Sequence, residues 1–116
     1  MLVDRGISYL AARNYPAAET ELMKAKPFKT GDERALMALA VAADMQGDFK
    51  LSDRAYEILL TRSTDQVMLF NNMGYSYMLR GDLVQAASYL KEAARRDPDN
   101  PVIQNNLRML RLVAPV

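Results

Sequence analysis

The feature that most constrains the fold of this chain is an internal repeat with a period of 34 residues. The segment QGDFKLSDRAYEILL, residues 46–60, aligns with RGDLVQAASYLKEAA, residues 80–94. One period earlier, residues 12–26 read ARNYPAAETELMKAK, and one period after Asn71-Asn72-Met73 the chain reads Asn105-Asn106-Leu107. A repeat of this length indicates stacked supersecondary units, because one such unit cannot bury its apolar face alone.

The third unit of the repeat predicts two helices. Apolar residues recur every three or four positions over residues 66–79, which indicates a first helix with one apolar face. Gly81 ends that helix, and Asp82 is placed to cap a second helix over residues 83–96, which stops before Pro98. Nothing in the chain reads as a strand.

Three further helix starts are predicted from capping residues. Asn100 followed by Pro101 indicates a last helix that runs to about residue 113. Thr30-x-x-Glu33 and Ser63-x-x-Gln66 have the spacing of capping boxes for the two earlier first helices.

Small residues alternate with large ones in the third unit. Gly74 and Ala86 are predicted to let two helix backbones approach closely, while Phe70, Tyr77 and Leu90 fill the space around them. A leucine at position 74 should therefore overpack the helix pair, at a cost of about 1–3 kcal/mol.

Composition removes several classes of function. The chain of 116 residues contains no cysteine and no histidine, which excludes Cys/His zinc sites, cysteine nucleophiles and histidine bases. With scattered acidic residues and no glycine-rich phosphate loop, no enzyme activity and no cofactor are expected. A net charge of +1 favours neither nucleic acid nor an anionic membrane. No apolar run is long enough to insert into a bilayer, and the first 15 residues predict an amphipathic helix rather than a signal peptide.

The third unit resembles the tetratricopeptide repeat (TPR), whose pattern is W-x2-L-G-x2-Y, then A-x3-F, then P. The corresponding residues here are Phe70, Met73, Gly74, Tyr77, Ala86, Leu90 and Pro98. The resemblance implies an all-α, right-handed superhelix of antiparallel helix pairs with a concave groove. It also implies one domain over residues 1–116, with repeats at about 1–32, 33–66 and 67–100 and a C-terminal helix at about 101–113. The first two units depart from the pattern, with Arg5 where leucine is typical and Ala43 where tyrosine is typical.

A narrower resemblance concerns residues 71–94 followed by VIQNNLRML. This combination is similar to the TPR lipoprotein of bacterial tight-adherence (Flp-type) pilus assembly. That resemblance implies a bacterial cell envelope or periplasmic location; without it, a cytoplasmic location is expected.

In the TPR arrangement the first helix of each pair lines the groove, which here is mostly apolar and rich in methionine. Methionine adapts to varied shapes and recurs on surfaces that bind peptides or helices. The predicted peptide-binding residues are Arg34, Met37, Val41, Met45, Met68, Asn71, Asn72, Tyr75, Met78, Asn105, Asn106 and Met109. For Met37, Met45, Met68 and Met78 a place in the core is the equal alternative, whereas Met73 is assigned to the core.

The two asparagine pairs allow two interpretations. An amide carries donors and an acceptor, so Asn72 and Asn106 could clamp the backbone of an extended peptide. The alternative is a hydrogen bond between neighbouring helices that fixes their packing.

These features predict an adaptor that binds a peptide or helix of a partner protein during assembly of a larger complex. A scaffold module that associates with a second copy is the first alternative, because the last helix is apolar around much of its surface. A chaperone for secreted subunits, using the same groove, is the other.

Overall fold

The structure, a computed structural model, describes residues 1–114, so the last two residues of the predicted domain lie outside the described range. Every regular element within residues 1–114 is a helix, and the predicted all-α helical-repeat fold is confirmed. The helices are α1 Leu2–Ala11, α2 Tyr15–Lys24, α3 Pro27–Thr30, α4 Glu33–Met45, α5 Phe49–Arg62, α6 Gln66–Leu79, α7 Leu83–Arg96 and α8 Pro101–Val113. None of these helices is long and apolar enough to span a bilayer.

The chain divides into two compact units, Met1–Ser63 and Thr64–Val116. The first unit contains α1 to α5, with α4 packed on both α2 and α5. The second contains α6, α7 and α8, with α7 packed on both α6 and α8. The domain limits taken from the repeat period remain a prediction.

Local signals set the helix ends of the second unit. Helices α6 and α7 begin and end at the predicted residues. Gly81 takes a left-handed φ of 80°, which breaks α6, and the Asp82 carboxylate accepts the Gln85 backbone N–H at 3.1 Å to start α7. Asn100 caps α8 by accepting the Val102 N–H at 2.9 Å.

The two predicted capping boxes are wrong. Asp32 rather than Thr30 caps α4, and Asp65 rather than Ser63 caps α6, each by accepting the backbone N–H three residues on. An aspartate stands directly before each helix and caps it, while the hydroxyls serve elsewhere. The Thr30 hydroxyl accepts the Asp32 N–H, and the Ser63 hydroxyl donates to the Glu33 carboxylate at 2.6 Å.

The short helix α3 was not predicted from the sequence, because its four residues are too few to show a period. It lies between two left-handed residues, Lys26 at φ 53° and Gly31 at φ 71°. Two features favour glycine at position 31. Its φ is positive, and a Cβ atom there would meet the guanidinium of Arg62. The two left-handed residues therefore set the path of the chain from α2 to α4.

Each unit is built around a glycine that faces a leucine. A Cβ atom added at Gly74 would lie 2.6 Å from Cγ of Leu90, and one added at Gly6 would lie 2.5 Å from Cγ of Leu22. Both leucines are fully buried. The predicted close approach at Gly74 is confirmed, and the same contact recurs two periods earlier in the chain.

An aromatic stack lines one edge of the α6–α7 pair. The Tyr89 ring lies 6.0 Å from Phe70 and 5.5 Å from Tyr77, with stacked ring planes. Two arginines end the stack: the guanidinium of Arg96 lies 5.0 Å from the centre of Phe70, and that of Arg80 lies 4.4 Å from Tyr77. Such pairs contribute more than their buried area, so they tie α7 to α6 along its length.

The last turns of α7 contain a cluster of Glu92, Arg95 and Arg96, and we expect the contacts in this cluster to be lost in acid. Arg95 and Arg96 donate to the Glu92 carboxylate at 2.7 and 2.9 Å, and these hydrogen bonds lower its pKa from 4.5 to about 2. Because the folded pKa is the lower one, the contact stabilises the folded state above pH 4.5 and is lost as the pH falls towards 2.

An NMR titration of the Glu92 side chain should therefore give a midpoint near 2. In the double variant Arg95→Gln/Arg96→Gln the midpoint should rise towards 4.5, because both donors with positive charge are gone. An unchanged midpoint in that variant would contradict the assignment of the shift to these arginines.

Candidate protein-binding site

The predicted peptide-binding residues fall into three groups by exposure. Three of them are buried, and these are Met37, Asn71 and Asn106. Four are half-buried, and these are Val41, Asn72, Tyr75 and Met78. Five are exposed, and these are Arg34, Met45, Met68, Asn105 and Met109.

The buried group corrects part of the predicted site. The Asn106 amide donates from Nδ2 to Oδ1 of Asn71 at 2.9 Å, which joins α8 to α6. The two side chains are only 7% and 8% exposed. Both amides are therefore enclosed between helices, and the interhelical hydrogen bond is favoured over a peptide clamp for this pair. Met37 is 7% exposed, so of its two predicted places, groove and core, it lies in the core.

The twin asparagines of the repeat have different surroundings within each pair. Asn71 corresponds by period to Asn105, yet it bonds to Asn106, one residue further along α8. Asn105 points outward and contacts its own helix, with Nδ2 3.7 Å from the Met109 sulfur. One asparagine of each pair thus fixes packing, and the other, Asn72 or Asn105, lies nearer the surface.

A cleft lies where the first turns of α6 and α8 meet the loop from α7 to α8. Its volume is about 440 Å³, within the usual range of ligand sites. We call it the α6–α8 cleft; it is lined by Asp65, Val67, Met68, Asn71, Asn72, Asp97, Asn100, Val102 and Ile103.

The cleft combines an apolar surface with acidic groups. Met68 is 49% exposed and Val102 is 59% exposed, which is high for side chains of this type. Asp65 and Asp97 supply negative charge, and the lining contains no lysine or arginine. Within residues 1–114, no three acidic side chains are grouped to hold a metal ion. The arrangement suits an apolar side chain next to a cationic one.

The acidic side chains are held in place by the loop and the helix start. The Asp97 carboxylate accepts the Asn100 side-chain amide at 3.0 Å, and Asp65 accepts the Met68 backbone N–H at 3.0 Å. Because the same groups cap α6 and order the turn before α8, the rim of the cleft is set by the fold rather than by a ligand.

In the first unit, the predicted contact residue Arg34 is already paired. Its guanidinium donates to the Asp4 carboxylate at 3.0 Å, and this hydrogen bond lowers the pKa of Asp4 ahead of the contribution from the N-terminal ammonium. Both side chains are about two-thirds exposed, so the pair contributes little to stability. The groove role assigned to Arg34, Val41 and Met45 stays a prediction.

Sequence reasoning missed the acidic part of the cleft. Asp65 and Asp97 were not among the predicted contacts, and Asn100 was assigned to capping alone. For Asp65 the local signal was an aspartate directly before a helix, which looks the same in sequence whether the residue caps the helix, lines a cleft, or does both. Asp97 follows the end of α7 and gave no such signal.

Comparison with known protein families matches one part of the chain. The family model for the tetratricopeptide repeat matches residues 67–100, which hold α6 from its second residue, α7 and the turn that follows. No curated protein matches the chain. Through this repeat and its helical-repeat fold, the chain is similar to tetratricopeptide repeat proteins, whose repeats generally mediate protein–protein interaction.

Proposed function

We propose that this protein is an interaction adaptor that binds a short segment of a partner protein in the α6–α8 cleft. The segment carries an apolar side chain beside a lysine or arginine. The observation that supports this most directly is the exposed Met68 and Val102 beside the carboxylates of Asp65 and Asp97. Exposed apolar area next to fixed charge is typical of a partner site.

Each part of the cleft has a separate task in this proposal. Met68, with three rotatable bonds, adapts to the apolar side chain of the ligand. The carboxylates attract the cation, which raises the association rate and selects against acidic segments. Asn72 lines the cleft, and in this proposal its amide bonds the backbone of the ligand.

The proposal predicts a charge-dependent peptide preference. Panning a displayed random peptide library against the whole chain should enrich peptides that pair an apolar residue with lysine or arginine. The enriched peptides should bind the double variant Asp65→Asn/Asp97→Asn at least about tenfold more weakly, because the charge is removed while asparagine still caps the helix. Fluorescence anisotropy of labelled peptides measures the change.

Asp82→Asn is the matched control, since it makes the same exchange at the cap of α7, outside the cleft. It should leave peptide affinity unchanged. Enrichment of peptides without a basic residue, or equal binding by the double variant, would overturn the proposal.

We propose a bacterial pilus or secretion-system assembly as the setting for this adaptor. This setting rests on the resemblance of residues 71–94 and the following segment VIQNNLRML. A pull-down from the native cells, with the whole chain as bait, should recover envelope assembly proteins. If the recovered partners belong to another process while the enriched peptides still bind, the proposal of a pilus or secretion-system setting is wrong and the cleft proposal stands.

A further inference from the structure

The second unit repeats part of the helix arrangement of the first, but the corresponding helices are covered differently in the two units. Helices α2 and α4 correspond to α7 and α8 at two periods of 34 residues. Ala18 and Leu22 are fully buried in α2, as are their counterparts Ala86 and Leu90 in α7.

In the first unit, α5 covers the face formed by α2 and α4. Leu51 of α5 packs against the cluster that contains Leu22 and Leu39. The Tyr56 hydroxyl of α5 donates to the Asp44 carboxylate at 2.7 Å, and Asp44 is 5% exposed. Leu39 is fully buried beneath this cover.

In the second unit, the corresponding face of α7 and α8 is open within the described residues 1–114. A groove of about 550 Å³ runs between α7 and α8, and its apolar lining includes Leu83, Val84, Ala87 and Leu110. We call it the α7–α8 groove. Leu112, the counterpart of the buried Asp44, is 79% exposed.

The charges at this face differ from those in the first unit. Arg108 and Arg111 stand where α4 has the fully buried Ala40 and Ala43. Arg111 lines the groove together with Lys91 from α7, and the lining contains no acidic residue. An uncharged copy of α5 would therefore leave arginines unpaired, whereas acidic side chains would pair with them.

We propose that the α7–α8 groove is a second docking surface, which binds an acidic amphipathic helix of a partner protein. The apolar stripe of that helix takes the place that α5 occupies in the first unit. Its aspartates and glutamates face Lys91, Arg108 and Arg111. This surface is distinct from the α6–α8 cleft and prefers the opposite ligand charge, so it goes beyond the function proposed above.

The test uses two synthetic helices and the whole chain labelled with ¹⁵N. Both probes copy residues 48–63, which hold α5 and its caps. The acidic probe carries Lys50→Glu, Arg54→Glu and Arg62→Glu, and the basic probe carries Asp53→Lys and Glu57→Lys. We expect the acidic probe to shift the amide signals of Val84, Ala87 and Arg111 and to bind at least about tenfold more tightly than the basic probe.

Charge reversal supplies the matched variant. Arg108→Glu/Arg111→Glu should bind the acidic probe at least about tenfold more weakly and the basic probe more tightly. Only the sign of the charge at these two positions has changed. If that variant is poorly folded by circular dichroism, Arg111→Gln should still weaken binding of the acidic probe without weakening binding of the basic probe.

Three outcomes would overturn the proposal. The first is no shift at the groove residues with the acidic probe at about 1 mM, and the second is probe binding confined to residues 1–63. The third is concentration-dependent dimer formation through the same residues without probe, which would make a second copy the occupant. Peptide binding by the Asp65→Asn/Asp97→Asn variant reports on the cleft alone, so the two proposals fail independently.

Discussion

Replacing Leu90 by alanine is expected to lower the free energy of unfolding by about 2–5 kcal/mol. Leu90 is fully buried in α7 and packs against Gly74 of α6 in the cluster that also contains Ala86 and Leu110. Truncation removes buried methyl groups and leaves a cavity between α6 and α7 at the point where Gly74 faces Leu90. Urea unfolding followed by circular dichroism measures the loss.

Val84→Ala is the control for this change, since Val84 is in the same helix but 83% exposed. It should alter stability by no more than about 0.5 kcal/mol. Equal losses at Leu90 and Val84 would contradict the packing described for α7.

The contact between Gly74 and Leu90 can be isolated by a double-mutant cycle. Gly74→Ala alone should destabilise, because overpacking costs about 1–3 kcal/mol and exceeds the gain in helix propensity of about 1 kcal/mol. The double variant Gly74→Ala/Leu90→Ala should lose less than the sum of the two single losses, since the new methyl group enters the vacated space. Strict additivity would show that position 74 does not meet Leu90.

Replacing Asn106 by alanine is expected to lower the free energy of unfolding by about 1–3 kcal/mol, because the Asn71 amide oxygen would be left buried without its donor. The exposed neighbour Asn105→Ala is the matched control on the same helix and should change stability by no more than about 0.5 kcal/mol. Thermal unfolding of both variants, side by side, measures the difference.

The double variant Asn71→Leu/Asn106→Leu distinguishes packing from peptide contact. Exchanging both amides for apolar side chains of similar size removes the unsatisfied group and should recover part of the loss. If Asn106→Ala leaves stability unchanged but abolishes binding of the library peptides, the clamp interpretation of Asn106 would be restored.

Sequence reasoning predicted the helices of the second unit well because their ends depend on nearby residues. A glycine with positive φ, an aspartate cap and a proline act within one turn of the chain, so the bounds of α6 and α7 could be derived without any tertiary contact. The same local reasoning chose the wrong capping residue for α4 and α6. A hydroxyl and an aspartate were both available before each helix, and the aspartate, which stands next to the helix, is the cap.

By itself, the sequence determined the repeat period, the all-α class and the glycine that brings α6 and α7 together. Only the tertiary structure decided which asparagine of each pair is enclosed and whether Met37 or Met68 reaches solvent. Helical periodicity predicts that residues share a face, but it does not say what that face meets. The bond between Asn71 and Asn106 depends on how α6 and α8 cross, and that crossing is set by side chains far apart in the chain.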